Sequence, residues 1–427
     1  MLYKVIPKCS RFRHFCSESV KPIVLEGWVR KSHKIGKMTF LHVDDGRNGH
    51  TVQAVIPKSL GRNFNIGSAI RIKGSWIPSK GSMQSEEFLA DQVQKMSEEQ
   101  VKVVRTDPEE LRSHPDIRVA LPSFAAVVKL RSKLNSATHR FFEKNDFALV
   151  DTPMLTLNEC EGAGEVFEVV TDQDKRFFEA DKVFLPVSSQ LHLEALICGV
   201  PNVYSLGTAF RAEKSLSSKH LSEFRMLEAE CAFVDDLDQL CDIVEKYLRF
   251  VIKESMRWKD EHSGVKSTEN DVLCEMDLKK EFPRISFTEA MDILQKKGIT
   301  VSKRLSKQNE LDLIKFMDGP VFIQRYPADQ KPFYMRINEK KEAECFDLLA
   351  PVVGELAGGS IREYDKEALR NRCPKQDLEW YINLRSNGYP RSGGFGLGIE
   401  RLMQSLFGIQ NIKDTVAFPR WYKHCKC

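Results

Sequence analysis

The sequence predicts a multidomain chain: a small N-terminal antiparallel β-barrel, then a larger α/β body built on an antiparallel sheet. Three observations carry this expectation. Short alternating runs punctuated by Gly, Asn and Asp recur from Val24 to about Val93. Residues 95–121 then lose all periodicity and include Asp107-Pro108 and His114-Pro115, the composition of a hinge. Beyond them, helix-spaced and strand-spaced runs alternate as far as a glycine-rich strand, 393–398, that enters a helix. At 427 residues, 42% hydrophobic and 29% charged, the chain is long enough for two or more domains and too apolar for disorder to dominate.

Taken in order, residues 1–16 carry Lys4, Lys8, Arg11, Arg13 and His14 with no acid before Glu18. This fits an organelle-targeting presequence over 1–20, and a plain basic tail is the other reading. Residues 21–98 hold strand-like runs at 23–29, 38–43, 51–56 and 69–74, for which an OB-fold is the natural barrel. Arg30, Lys31, His33, Lys34 and Lys37 lie near Phe40, cations beside a ring that suit single-stranded nucleic acid. A core Phe40 under a solvated lysine face is the alternative.

The hinge spans 99–121 and the body 122–427. Phe124 to Asn145 is helix-spaced through Val127, Leu130, Leu134 and Ala137, and leads into a strand at 147–155 that Pro153 interrupts. Residues 203–212 and a strand from near Phe224 form a hairpin with a polar tip. Residues from about 258 to 319 read as a helical insertion, after which strand patterns return at 321–324, 333–336 and 345–349. Eleven scattered cysteines without Cys-x-x-Cys spacing predict reduced thiols. A net charge of +4 permits a nucleic-acid partner without requiring one. No apolar run is long enough to cross a bilayer, so no membrane insertion is expected.

The chemistry concentrates in two segments. Arg211 and Glu213 stand at the end of the first hairpin strand, and Arg401 opens the helix after Gly393-Gly394-Phe395-Gly396-Leu397-Gly398. Two arginines on rigid elements can grip a triphosphate from both ends. This pairing resembles motifs 2 and 3 of the class II aminoacyl-tRNA synthetases, and the helix-strand-Pro153 unit resembles their motif 1, which implies a homodimer through that region. The resemblance implies catalytic roles for Arg211, Arg401 and Glu355. It also implies ATP contacts from Glu213, His220, Phe224, Asp347 and Gly398, with Mg²⁺ on Asp347 and Glu355.

Glu161 to Glu165, Ser188 to Glu194 and Asn411 to Arg420 resemble the asparaginyl-tRNA synthetases of class IIb, over nearly the whole of residues 24–420. The function this implies is an asparagine–tRNA ligase, which activates asparagine with ATP and transfers it to tRNA(Asn). Mitochondrial location is the expectation, with the cytoplasm as the alternative. Glu161 would close over the substrate ammonium and Gln190 would touch its main-chain groups. Where aspartyl enzymes carry a lysine, this chain has Leu193 followed by Glu194. Glu194 and Arg362 would therefore read an amide rather than a carboxylate. Phe40, Gln53 and Arg30 fall where the family contacts the anticodon.

The chain departs from the family pattern at Lys219, His33 and Arg391-Ser392. The competing readings are an aspartate–tRNA ligase, a tRNA-independent ligase and a catalytically silent paralogue. A dinucleotide fold is excluded, because Ile399 stands where a third glycine would be needed.

Overall fold

Five strands close the N-terminal barrel because each alternates inward apolar with outward polar residues. β1 (Ile23–Ile35), β2 (Met38–Asp44), β3 (Thr51–Pro57), β4 (Ala69–Pro78) and β5 (Glu86–Lys95) pair in the order β1-β2-β3-β5-β4. Leu25, Val29, Leu41, Val43, Ala54, Ile56, Ile70, Ile72 and Phe88 fill the interior. Closure needs bare backbone at two positions: a Cβ on Gly74 would stand 1.9 Å from the Leu89 carbonyl oxygen, where the β4–β5 register shifts, and one on Gly27 would stand 2.3 Å from the Asp44 carbonyl oxygen. The barrel expected from the sequence is therefore present. Phe40 is half-buried on the outer face and is not a core residue.

This computed structural model describes residues 23–47, 51–61, 63–79, 84–97, 107–157, 166–170, 182–258, 280–373 and 378–426, with isolated positions between them. The basic N-terminal segment and Glu161 lie outside the described residues. The chain divides into two units, Met1–Val104 and Arg105–Cys427.

The second unit opens with α1 (Pro108–Ser113) and α2 (Pro115–Arg118), where the sequence predicts a patternless hinge. Each begins on a proline, whose fixed φ and missing N–H suit a first helical position. Then follow α3 (Pro122–Lys144), β6 (Ala148–Leu149), α4 (Gln190–Leu196), β7 (Asn202–Phe210), β8 (Glu223–Ala232) and α5 (Leu237–Met256). The strand expected over 147–155 shrinks to two residues, Ala148 and Leu149, which pair with Val203 and Tyr204 of β7, and the side chains of Leu149, Met154 and Leu155 stand exposed.

β9 (Arg284–Ser286), α6 (Phe287–Lys296) and α7 (Lys307–Phe316) come from the segment read as an insertion. β9 is nevertheless an edge strand of the main sheet, and Phe287, Ala290, Leu294 and Leu313 share a core with Val321 and Ile323. A three-residue strand is too short for its alternation to be seen in sequence. β10 (Val321–Pro327), β11 (Glu342–Ala350), β12 (Gly354–Ile361), α8 (Lys366–Arg372), α9 (Glu379–Asn383), β13 (Ser392–Gly398) and α10 (Ile399–Phe407) complete the unit. The run 333–336 forms only an isolated bridge, Met335 to Arg362.

The eight strands lie in the order β6-β7-β8-β13-β12-β11-β10-β9, antiparallel except at the two edge pairs. Leu227, Ala229 and Cys231 of β8 pack with α3, α5 and α10 in one continuous core. Alternation turns Met226, Glu228 and Glu230 to the opposite face. That face bears the site. Among the described residues, no helix is long and apolar enough to cross a membrane.

A candidate nucleotide and amino-acid site

The hairpin of β7 and β8 delivers Arg211 because Arg211 follows the last paired residue of β7 and its amide still bonds the Ser222 carbonyl, at 3.0 Å. Its guanidinium stands 5.7 Å from the centre of the Phe224 ring. β13 delivers Arg401 one turn into α10, where it donates to the Glu355 carbonyl at 3.1 Å and lies 3.9 Å from that side chain. Between them is a cleft of about 300 Å³, lined by Arg211, Glu213, Lys219, His220, Phe224, Glu355, Gly398 and Arg401 among others. All the sequence-predicted nucleotide contacts except Asp347 thus meet in one place. Lys219, flagged as a departure, also lines it and donates to the Val352 carbonyl at 2.7 Å. Burial lowers the His220 pKa, and Arg401, Lys307 and Arg211 add to this while Glu213 opposes it.

A second cleft, of about 240 Å³, shares Arg211, Met226, Glu355, Gly358 and Gly396 with the first. Its other walls include Ser188, Gln190, Leu193, Glu228, Glu230, Lys331, Asp347 and Arg362. Arg362 forks onto Glu230 with bonds of 2.9 and 2.8 Å, and its third nitrogen donates to Ser360 at 2.7 Å. Burial pushes the Glu230 carboxyl up to about 7, against the pull of Arg362.

Glu194 is not a wall of either cleft. It lies behind the second one, fully buried, accepting from Gln190 at 2.9 Å, Tyr381 at 2.7 Å, and Arg385 and Tyr389 at 2.8 Å each. Burial would raise its pKa, but Arg385 and Arg362 outweigh that and hold it below the usual carboxylate range. The expectation that Glu194 faces the cleft is corrected: Glu194 is buried behind the wall, and Glu230, unnoticed in the sequence, is the carboxylate that lines the cleft in contact with Arg362. Strand alternation could have found it, since Phe224, Met226, Glu228 and Glu230 form one row of β8 and all four line the clefts.

Asp347 and Glu355 flank Gly358, whose Cβ would stand 3.5 Å from one carboxylate and 3.9 Å from the other. Lys331, also missed in the sequence, holds both Asp347 oxygens at 2.8 and 2.7 Å. Burial raises the Asp347 pKa and Glu355 adds to it, while Lys331 opposes. For Glu355 burial acts the same way, but Arg401, Lys331, Lys307 and Arg211 prevail and keep it low.

In the barrel, two cross-strand rows run over the outer face, Lys31–His42–Gln53 and His33–Phe40–Val55. Gln53 donates to Glu87 at 2.9 Å and Arg30 pairs with Asp44 at 2.9 Å.

Residues 110–422 match the family model for class II tRNA synthetases (D, K and N). The chain belongs to this family. Within it, the chain is 34% identical to the asparaginyl-tRNA synthetase of Mus musculus, over 94% of this chain and 91% of the mouse protein. It is 35% identical to the asparagine–tRNA ligase of Mycoplasma genitalium, over 94% of each. The crystal structure of asparaginyl-tRNA synthetase from Pyrococcus horikoshii complexed with asparaginyl-adenylate has the same fold, with a TM-score of 0.85 and 30% identity over 94% of this chain and 95% of that one. A putative aspartyl-tRNA synthetase from Leishmania major, 18% identical at a TM-score of 0.79 over 95% of this chain and 92% of that one, shares the fold.

Proposed function

We infer that the chain is an asparagine–tRNA ligase, forming asparaginyl-adenylate from asparagine and ATP and passing the asparaginyl group to tRNA(Asn). The observation that carries this reading is the end of the second cleft. Glu230 and Arg362 offer one acceptor and one donor side by side, the complement of a primary amide. An aspartate carboxylate would meet Glu230 as a like charge, which disfavours the alternative ligase. The decisive experiment is amino-acid-dependent ATP–pyrophosphate exchange. Exchange with asparagine alone supports the reading, and exchange with aspartate overturns it.

For the activation step, Arg211 borders both clefts and would neutralise charge as the asparagine carboxylate attacks the α-phosphate. Arg401 would hold the far end of the triphosphate, and Phe224 would stack on adenine with Glu213 at its edge. Gln190 would meet the substrate's main-chain groups. The attacking carboxylate is already ionised, so positioning and charge suffice without a general base.

Asp347 and Glu355 fit Mg²⁺, two oxygen ligands converging at Gly358. Lys331 occupies Asp347, which leaves Glu355 the more available ligand. Among the described residues no third His, Cys, Asp or Glu joins them, so phosphate and water would complete the shell. Mg²⁺ there would screen the leaving pyrophosphate. Exchange that survives complete chelation of divalent ions would refute the assignment.

The pH dependence follows from Glu230. As pH falls through about 7 the carboxyl takes up a proton and loosens Arg362. The KM for asparagine is expected to rise several-fold from about pH 8 to about pH 6 while the KM for ATP stays level. Persistence of the rise in Glu230→Gln would show that another group titrates. For stability the sign is opposite: a carboxyl raised from 4.5 to about 7 stabilises the fold fully below 4.5, and that contribution is lost as pH rises through 7.

The barrel's outer rows would receive the anticodon, with Phe40 stacking, Gln53 hydrogen-bonding and Arg30 beside them. Phe40→Ala is expected to weaken tRNA charging about tenfold or more, the value of one stacked base, with adenylate formation unchanged. Equal loss of both activities would break this division of labour.

A homodimer through α3 and the Pro153 segment would cover the exposed Leu149, Met154, Leu155 and Leu157. Sedimentation velocity tests it, a monomer at micromolar concentration being the contrary outcome. The basic, acid-free N-terminal residues favour the mitochondrial matrix. Cytoplasmic residence of a tagged full chain would contradict this.

A further inference from the structure

The loop joining β7 to β8 brings Lys219 and His220 to the first cleft, yet little within the loop fixes its position. Its internal bonds are short-range, such as Lys219 N–H to the Ser217 hydroxyl at 3.1 Å. The long-range anchors come largely from the C-terminal segment. The Ile412 amide donates to the Ser218 carbonyl at 2.9 Å, the Lys413 ammonium donates to the Leu216 carbonyl at 3.3 Å, and the Ser222 amide donates to the Arg420 carbonyl at 2.8 Å. Ile412 itself lines the cleft.

Lys413 is only 5% exposed. Among the described residues no carboxylate is within ion-pairing distance of its ammonium, which rests 4.7 Å from the centre of the Trp421 ring and on the Leu216 carbonyl. Burying a cation is costly unless it finds partners, and the hydrogen bond this ammonium makes goes to the loop. The next residue secures the segment from behind. Asp414 accepts a fork from Arg112 of α1 at 3.0 and 2.7 Å and a further bond from Arg118 of α2 at 3.1 Å. Arg118 also donates to the Lys413 carbonyl at 2.6 Å.

We propose that Lys413 is a positioning residue for nucleotide binding: its ammonium, with the segment clamped through Asp414 to α1 and α2, sets the loop that carries Lys219 and His220. The proposal rests on the ATP-dependent reading above, and one arm of its test is independent of that reading. Lys214 and Lys219 are tryptic sites in the loop, so cleavage there in the full chain reports its position directly.

Lys413→Met is expected to speed cleavage after Lys214 and raise the KM for ATP about tenfold, the loss of one charge-assisted hydrogen bond, with the KM for asparagine unchanged. Lys413→Arg keeps a donor and should restore both values. Wild-type cleavage and wild-type KM for ATP in the Met variant overturn the proposal, as does a parallel rise in both KM values. If Lys413→Met does not fold, Asp414→Asn is measured for the same split. If the wild type shows no exchange at all, the functional reading fails, and cleavage alone decides whether Lys413 holds the loop.

Discussion

Arg211→Ala is expected to lower asparagine-dependent pyrophosphate exchange about 10³-fold, at the upper end of what removing one preorganised charge donor costs. Arg211 lines both clefts, so it touches the place where the asparagine carboxylate and the α-phosphate must meet. Among the described residues no other cation lines both clefts: Arg401 lines the first alone, and Lys331 and Arg362 line the second. Arg211→Lys should recover only part of the loss, because an ammonium keeps the charge but cannot bridge two oxygens in a fork. Exchange assays on both variants, with circular dichroism to confirm folding, provide the check. An alanine variant within tenfold of wild type would remove Arg211 from the chemistry.

The second large effect concerns stability. Glu194→Ala is expected to destabilise the chain by about 3–5 kcal/mol, since it strips a buried carboxylate from Arg385 and Arg362 and removes the carboxylate acceptor of Tyr381 and Tyr389. Glu194→Gln should fall between, because an amide still accepts from the tyrosines but no longer balances the guanidinium. Thermal unfolding of the full chain measures it. An unchanged midpoint for the alanine variant would show that the cluster does not hold the fold. The prediction differs in kind from a substrate-contact role, which would alter the KM for asparagine and spare the melting curve.

Where function is carried by local pattern, the sequence was readable. The β7–β8 hairpin, the glycine strand with its helix, and the barrel strands all announce themselves within a dozen or so residues, because alternation and glycine placement are short-range signals. The Glu194 assignment failed for a long-range reason. On a seven-residue helix with Leu191, Leu193 and Glu194 all buried, periodicity cannot tell which wall a side chain meets. Its partners Tyr381, Arg385 and Tyr389 lie 187, 191 and 195 residues away, and nothing near Glu194 encodes them. Lys331 escaped notice similarly, since it follows a short 3₁₀ turn and gains meaning only from Asp347 on a neighbouring strand. β9 and the helices α1 and α2 were missed because they are too short to show a period.

Glu194, Glu230, Arg362 and Arg385 form a connected set of two carboxyl and two guanidinium groups whose side chains are buried. Because the four lie against one another, replacing one of them with an uncharged residue removes a partner on which a buried ion depends. A Cβ on Gly394 would lie 1.9 Å from Glu230 and 2.7 Å from Arg362, so the backbone leaves no slack for a larger neighbour to compensate. A lineage drifting from amide to carboxylate recognition through these positions would therefore cross intermediates that have lost a buried partner. The same charges that let the pocket accept a neutral side chain would make its specificity slow to change by single mutations.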